Sequence, residues 1–472
     1  MNTVRNVATS TAALAASNIV AGALTFFTNI VIARLLGAEV LGGYAFVIAF
    51  LSFFTVVANL GLDVILVREL AVGKERSSLI GTTILLKILS GIVAVIFAAV
   101  IIFFLDTSIE IKKAVLLASG TLLLQSLGNT GMGLLQSRIE LLKYAYSSIF
   151  SRVITFLLML LIAFKHGSLL QLASTLVIGA LIHVVLLMYY CREEFMHHIS
   201  ASFSSAKEML KESWPIAMTG IFISMYFRID VVMISFFRKT SDIGHYAAAY
   251  TLSEAPSIIA VAFMLSLFPI MSRVAKESNK TMSFVSSRSL KYMLILAVPV
   301  AIGATLLSSS IINFVYGSEY ASSVAAFSIL IWAGAMIMLN VVVNNILTTL
   351  GLQKINFYVT LVCLAANIML NLVLIPKYGI VGAAIATVIT EVIGFVASMI
   401  IALKKVALSI PILGIAISSI AMGALVFVLR YRISFLYVIP MAAVAYFILI
   451  AVFRSIDKED IAIMKKIIGR GD

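Results

Sequence analysis

Charge is scarce in this sequence of 472 residues: Asp, Glu, Lys and Arg together make up 12% of it, about half the roughly 25% of a soluble domain. Cysteine is scarcer still. Cys191 follows a hydrophobic run and Cys363 lies inside another, so two thiols support neither a disulfide framework nor a metal cluster. Enzymatic signatures are missing too. The five histidines include an adjacent His197-His198 pair and no HExxH spacing, and Gly73-Lys74 is followed by Glu75 without phosphate-loop spacing. Nothing in the chain calls for a cofactor or a metal ion, and an ATP-driven pump is not expected from this chain alone. Long polar connections are also absent. None exceeds about 25 residues, well short of a soluble catalytic domain.

Apolar runs take the place of all these. Hydrophobic residues make up 62% of the chain, its mean hydropathy is +1.12, and runs of about 20 such residues span a bilayer as helices. Fourteen or so spans are expected, near 8–33, 41–66, 79–104, 114–136, 144–164, 169–190, 214–237, 243–271, 292–315, 323–349, 355–376, 379–403, 408–429 and 433–453. The fold class is an all-α polytopic membrane protein. An outer-membrane barrel is excluded, since its strands alternate over about ten residues. The formal charge of +13 is a membrane signature here, not a nucleic-acid one. With the amino terminus and every second connection in the cytoplasm, that face receives 22 of the 34 Lys and Arg and the other face nine. Cytoplasmic residues are enriched in just these two, so both termini of a cytoplasmic-membrane protein are expected inside. The first apolar stretch is too long for a signal-peptide core and reads as an anchor that stays.

An internal echo divides the chain. Gly42, Tyr44 and Ala45 in VLGGYAF recur as Gly244, Tyr246 and Ala247 in DIGHYAA, an offset of 202. Asn29 lies fifteen residues before Tyr44 and Asp230 sixteen before Tyr246; Tyr146, Leu160 and Gly167 are matched by Tyr358, Leu372 and Gly379. Six spans repeated as six, in parallel orientation, plus two at the end fit this order. The expected domains are 1–190, an amphipathic cytoplasmic linker at 191–213, a second lobe at 214–403, and 404–472 with two further spans and a basic tail. The other long connection, 273–291, is basic and serine-rich. Pro215 is expected to start its helix.

Ionisable residues inside spans cost at least about 2.5–3.5 kcal/mol each near a helix centre and usually face a cavity or a partner. These are Asp63, Lys87 and Arg152, then Arg228, Asp230, Glu254 and Glu391; Arg34 and Arg68 at span ends can snorkel. Asn340 and Asn344 share one helical face, as do Asn367 and Asn371. Such amides either line a wet interior or link neighbouring helices. Pro256 lies beside Glu254, with Pro269 and Pro299 further on, and helix breaks of this kind adjoin ion sites in transporters. Asp230, Glu254 and Glu391 would repel an anion, so an ion-coupling role for H+ or Na+ is expected of them.

Four strings carry a resemblance. ARLLGAEVLGGYAF (33–46), RIDVVM (228–233), FVYGSEY (314–320) and above all NLVLIPKYGIVGAAIAT (371–387) resemble the polysaccharide-transporter branch of the multidrug/oligosaccharidyl-lipid/polysaccharide flippase superfamily. The resemblance implies two six-helix lobes around a central cavity and a lipid-linked sugar as substrate. It further implies a cationic cavity meeting the substrate's phosphates, with Arg34 in the ARLLG string and Asp230 in RIDVVM. Arg34, Lys87, Arg152, Arg228, Asn340, Asn344, Asn367 and Asn371 are the expected substrate-facing set. On this basis the chain is expected to flip a polyprenyl-(di)phosphate-linked oligosaccharide by alternating access, driven by membrane potential or an ion gradient. Membrane lipids are its surroundings, and glycan polymerase or ligase enzymes fit as partners. A cation-coupled multidrug exporter and a lipid-linked peptidoglycan-precursor flippase are the alternatives. A membrane-embedded glycan polymerase would carry a sizeable external loop, which is absent.

Overall fold

The computed structural model describes residues 2–72, 76–196, 200–453, 455–456 and 460. His197, His198, Lys74 and most of the basic tail after 453 lie outside the described residues. Helices follow one another throughout, with no strand among the described residues. The first half holds α1 (Asn2–Asn59), α2 (Leu62–Val72), α3 (Arg76–Phe104), α4 (Ile109–Ala118), α5 (Gly120–Ser137), α6 (Leu141–Phe164), α7 (Leu169–Tyr190) and α8 (Arg192–Met196). Then come α9 (Phe203–Phe237), α10 (Thr240–Glu254), α11 (Ser257–Glu277), α12 (Asn279–Leu306) and α13 (Ser308–Tyr316). The series ends with α14 (Ser323–Thr349), α15 (Gln353–Tyr378), α16 (Ile380–Leu403), α17 (Ile412–Leu429) and α18 (Phe435–Val452).

Twelve helical segments among the described residues are long and apolar enough to cross a membrane. The chain is therefore a multi-pass membrane protein. The first of these segments, Ala13–Leu70, has 58 residues and would run about 87 Å if straight, nearly three times the hydrocarbon thickness. It holds the first two expected spans, parted where Gly37 leaves helical geometry at φ 83. Only a residue without a Cβ turns this way without strain. The stretch expected at 114–136 is helical but interrupted at Ser119, between α4 and α5.

Two expectations need correction. Residues 273–291 are mostly helix, because α12 begins at Asn279, where the Ser278 hydroxyl accepts from Thr281 N–H at 3.4 Å. Hydropathy marks the membrane boundary, and a capped helix can continue past it. For the same reason Pro215 lies inside α9 rather than at its start. The polar residues from Phe203 onward extend that helix before the apolar run begins.

The described chain packs as two compact units. One takes in residues up to Thr251 with Thr360–Ala383; the other takes in Leu252–Val359 with the described residues from Ala384 on. In the first, Leu62, Leu66, Leu134, Leu135 and Leu187 form a buried cluster. In the second, Met264, Met293, Leu339, Val343 and Ile346 do so. There α17 and α18 pack on α12, with the Tyr446 hydroxyl donating to Ile295 C=O at 2.8 Å.

The strings behind the resemblance have structural work. Gly379 (φ 59) turns the chain from α15 into α16, and a Cβ on Gly382 would lie 2.2 Å from Leu374 C=O. Arg238 donates to the carbonyls of Ile375 (3.2 Å) and Pro376 (2.9 Å) at this α15 end. The echoed glycines meet each other's segments. A Cβ on Gly42 would lie 1.9 Å from Thr240 C=O, and one on Gly244 would lie 1.9 Å from Ala38 C=O. Thr240 and Gly244 are Ala38 and Gly42 shifted by 202, so the contact is reciprocal about the repeat.

Candidate functional site

Three polar centres sit within the helices, each built from residues far apart in the chain. The first joins α9, α10 and α15 in the first unit. Asp230 is 6% exposed, Asn367 1% and Asn371 0%. The Tyr246 hydroxyl donates to Asp230 Oδ2 at 2.9 Å, and Asn371 Nδ2 donates to Asp230 Oδ1 at 2.6 Å. The same Nδ2 reaches Asn367 Oδ1 at 2.9 Å, one helical turn away. Asn371 Oδ1 is buried with no hydrogen-bond partner, a costly state for an amide oxygen. A carboxylate beside an orphaned amide oxygen is an arrangement of hard oxygen donors. It suits a proton or a small monovalent cation better than a soft metal. No cluster of three or more His, Cys, Asp or Glu suited to a metal occurs among the described residues.

The second centre belongs to the second unit. Asn340 of α14 donates from Nδ2 to Glu391 Oε2 at 2.7 Å and to Glu391 C=O at 3.2 Å. Glu391 is 5% exposed. Asn344, one turn further along α14, is half-buried. Glu254, also half-buried, ends α10 where Pro256 precedes α11. The Ser257 hydroxyl donates to the freed Glu254 C=O at 2.7 Å, and Gly334 allows α14 to approach Ser253 C=O, where a Cβ would sit at 1.9 Å. The helix break expected beside Glu254 is therefore present and tightly packed.

The third centre surrounds Lys87, which is 0% exposed. Its ammonium pairs with Asp63 and donates to Ser126 C=O at 2.9 Å. Lys87, expected to face substrate, is enclosed within the first unit, and Asp63, expected among the embedded charges, is its counter-charge. Sequence reading missed this pairing because the two lie 24 residues apart on different helices. His183 was missed as well. Its Nδ1 is buried without a partner and its ring meets Tyr144 at 5.5 Å; a lone span histidine carries no sequence signal.

The remaining cations are more open. Arg34 and Arg152 are exposed and Arg228 half-buried. Neither Arg152 nor Arg228 makes an ion pair among the described residues, and Asp230 turns to Tyr246 and Asn371 rather than to its near neighbour Arg228. Both cysteines are buried, and burial pushes the Cys191 thiol up to about 11.

Comparison with known proteins adds to this geometry. The family model described as polysaccharide biosynthesis protein matches residues 7–275. A protein of Haloferax volcanii named probable low-salt glycan biosynthesis flippase Agl15 is 24% identical over 396 residues, 82% of this chain and 81% of that protein. Among solved structures, lipid II flippase MurJ in an inward closed conformation superposes with a TM-score of 0.78 at 19% identity, covering 93% of this chain and 97% of that one. An inward-facing MATE-family multidrug resistance transporter of the MOP superfamily gives a TM-score of 0.67 at 12% identity, covering 81% and 95%. At those identities the likeness concerns the fold.

Proposed function

The chain belongs to the polysaccharide biosynthesis protein family, and from that footing we propose that it is a flippase moving a polyprenyl-(di)phosphate-linked oligosaccharide across the cytoplasmic membrane by alternating access. The observation that carries this reading is a match running over four-fifths of both chains to a protein named as a glycan flippase. The physical need agrees with it. Each unpaired hydroxyl costs several kcal/mol in hydrocarbon, so an oligosaccharide headgroup crosses only along a polar path. Arg34, Arg152 and Arg228 are the residues we assign to the phosphates. Asn344 is assigned to the sugar.

The carboxylates within the helices take a different role. Asp230 with Asn367 and Asn371, Glu391 with Asn340, and Glu254 at its helix break are the proposed sites for a coupling H+ or Na+. The membrane potential assists such a cycle. About 2.3 kcal/mol per elementary charge per 100 mV is gained when negative charge moves outward or a cation returns. In proteoliposomes, wild-type protein should expose a labelled lipid-linked oligosaccharide to an external quencher, faster under an imposed inward cation gradient. Asp230→Asn and Glu391→Gln should flip at the ungraded rate. A wild type that never moves the lipid but expels a cationic dye would favour the multidrug alternative. Variants retaining the full response to the gradient would remove the carboxylates from coupling.

Both termini are placed in the cytoplasm on the bias of Lys and Arg. Glu319 and Lys280 are both exposed, which makes them suitable for labelling. A cysteine at Glu319 should react with an impermeant thiol reagent added outside whole cells, and one at Lys280 should not. The reverse pattern inverts the orientation.

A further inference from the structure

The third polar centre has a role that neither substrate binding nor the carboxylates above require. It lies at a break in the backbone. Between α1 and α2, Leu60 (φ 50) and Gly61 (φ 69) both adopt left-handed geometry, which is unfavourable for leucine and readily taken up by glycine. The break strands the Ala58 carbonyl. Two hydroxyls from other helices satisfy it: Ser90 of α3 at 2.6 Å and Ser126 of α5 at 2.8 Å. Asn129 of α5 donates to Asn59 Oδ1 at 3.1 Å. The end of α1 is thus tied to α3 and α5 by neutral hydrogen bonds.

The start of α2 is tied differently. Asp63, in its first turn, is joined to α3 through the Lys87 ammonium. Lys87 is wholly enclosed while the Asp63 side chain is 29% exposed, so the carboxylate is the member of the pair that solvent protons can reach. Among the described residues Asp63 is the one carboxylate paired with Lys87.

We propose that the Asp63–Lys87 pair is a proton-operated latch on the Leu60–Gly61 hinge, holding α2 against α3 while Asp63 is ionised and releasing it when Asp63 is protonated. An enclosed ammonium stripped of its counter-charge is strongly unfavourable. Once a proton from solvent neutralises Asp63, Lys87 retains only the Ser126 carbonyl, and moving the helix toward water relieves it. The hinge already has the backbone for that motion, because its two left-handed residues interrupt the hydrogen-bond ladder.

On the α5 face, Ser126, Thr130 and Gly133 carry no charge, and the Thr130 hydroxyl is buried without a partner. On α6 stands Tyr144, backed by His183 of α7. On α9, Glu212 pairs with Arg68, which also holds Glu69, further along α2. Ile216 of α9 packs on Gly61.

Spin labels test the latch without any cargo, so its outcome is separate from the flippase reading. Val72 near the end of α2 and Leu89 of α3 are both exposed and accept labelled cysteines once Cys191 and Cys363 are alanine. The end of α2 lies about 16 Å from the hinge at about 1.5 Å per residue, so a bend of about 20° moves it about 5 Å. In wild type one distance is expected at neutral pH, with a longer population growing as the pH is lowered. Asp63→Asn should show the longer population throughout that range. Asp63→Asn combined with Lys87→Met, which removes both charges, should return the short distance and abolish the pH dependence. A wild-type distance that ignores pH, or a double variant as open as Asp63→Asn, overturns the proposal; the wild-type titration decides even if a variant fails to fold.

Discussion

Gly244→Val is expected to leave little folded protein, and Gly42→Val to do the same. Each glycine faces a backbone carbonyl across a helix contact, where an added Cβ would lie 1.9 Å away. Ordinary contact requires about 3.4–4.0 Å, so α1 and α10 would have to part by about 1.5 Å or more. Backbone cannot rotate aside as a flexible side chain can. The reciprocity worsens the effect, since prying one glycine loose also loosens the contact at the other. Overpacking costs about 1–3 kcal/mol where side chains can give, and a rigid contact of this kind should reach the 4–5 kcal/mol tail. The measurement is the yield of monodisperse protein and its thermal midpoint in detergent. Gly303→Ala is the control, because a Cβ there meets nothing within 4 Å. A Gly244→Val protein with the wild-type midpoint would mean that the helices part without loss.

Removing the arginine at 152 or at 228 should cost most of the flipping rate while leaving the protein inserted and abundant. Arg152 lies near the middle of α6, and both arginines sit on spanning helices without a carboxylate partner among the described residues. A cation left without a partner in such a place is expensive, which makes sense if an anion arrives there during the cycle. A charged hydrogen bond contributes about 1.5–3 kcal/mol, so Arg228→Ala or Arg152→Ala should weaken capture of the lipid diphosphate by about 10- to 100-fold. Lysine should rescue in part, supplying charge without the two-pronged guanidinium. Flipping assays across a range of substrate concentration check this. Normal transport in both alanine variants would take these residues out of the site.

Much of the architecture was legible because its causes are local. A run of apolar residues has to be helical in hydrocarbon, where no water satisfies its backbone, and every expected stretch is mostly helix, with breaks such as those at Leu60–Gly61, Ser119 and Pro256. Gly37, Gly317 and Gly379, inside the strings behind the resemblance, all take positive φ. The pairing of Asn367 with Asn371 follows from one helical turn, and the break beside Glu254 from Pro256. The long helices at 203 and 279 were not legible, because hydropathy registers where lipid ends and helix hydrogen bonds continue in water.

The sequence by itself determined which residues must find partners: a charge placed among apolar neighbours announces its own cost wherever it falls. It also carries the echo of Gly42 in Gly244. Which partner each charge takes was decided only by the tertiary structure. Asp230 finds Tyr246 at sixteen residues and Asn371 at 141, Glu391 finds Asn340 at 51, and Lys87 finds Asp63 at 24. Helix formation depends on neighbours within a turn. A hydrogen bond between helices depends on which faces meet, which no spacing along one helix encodes.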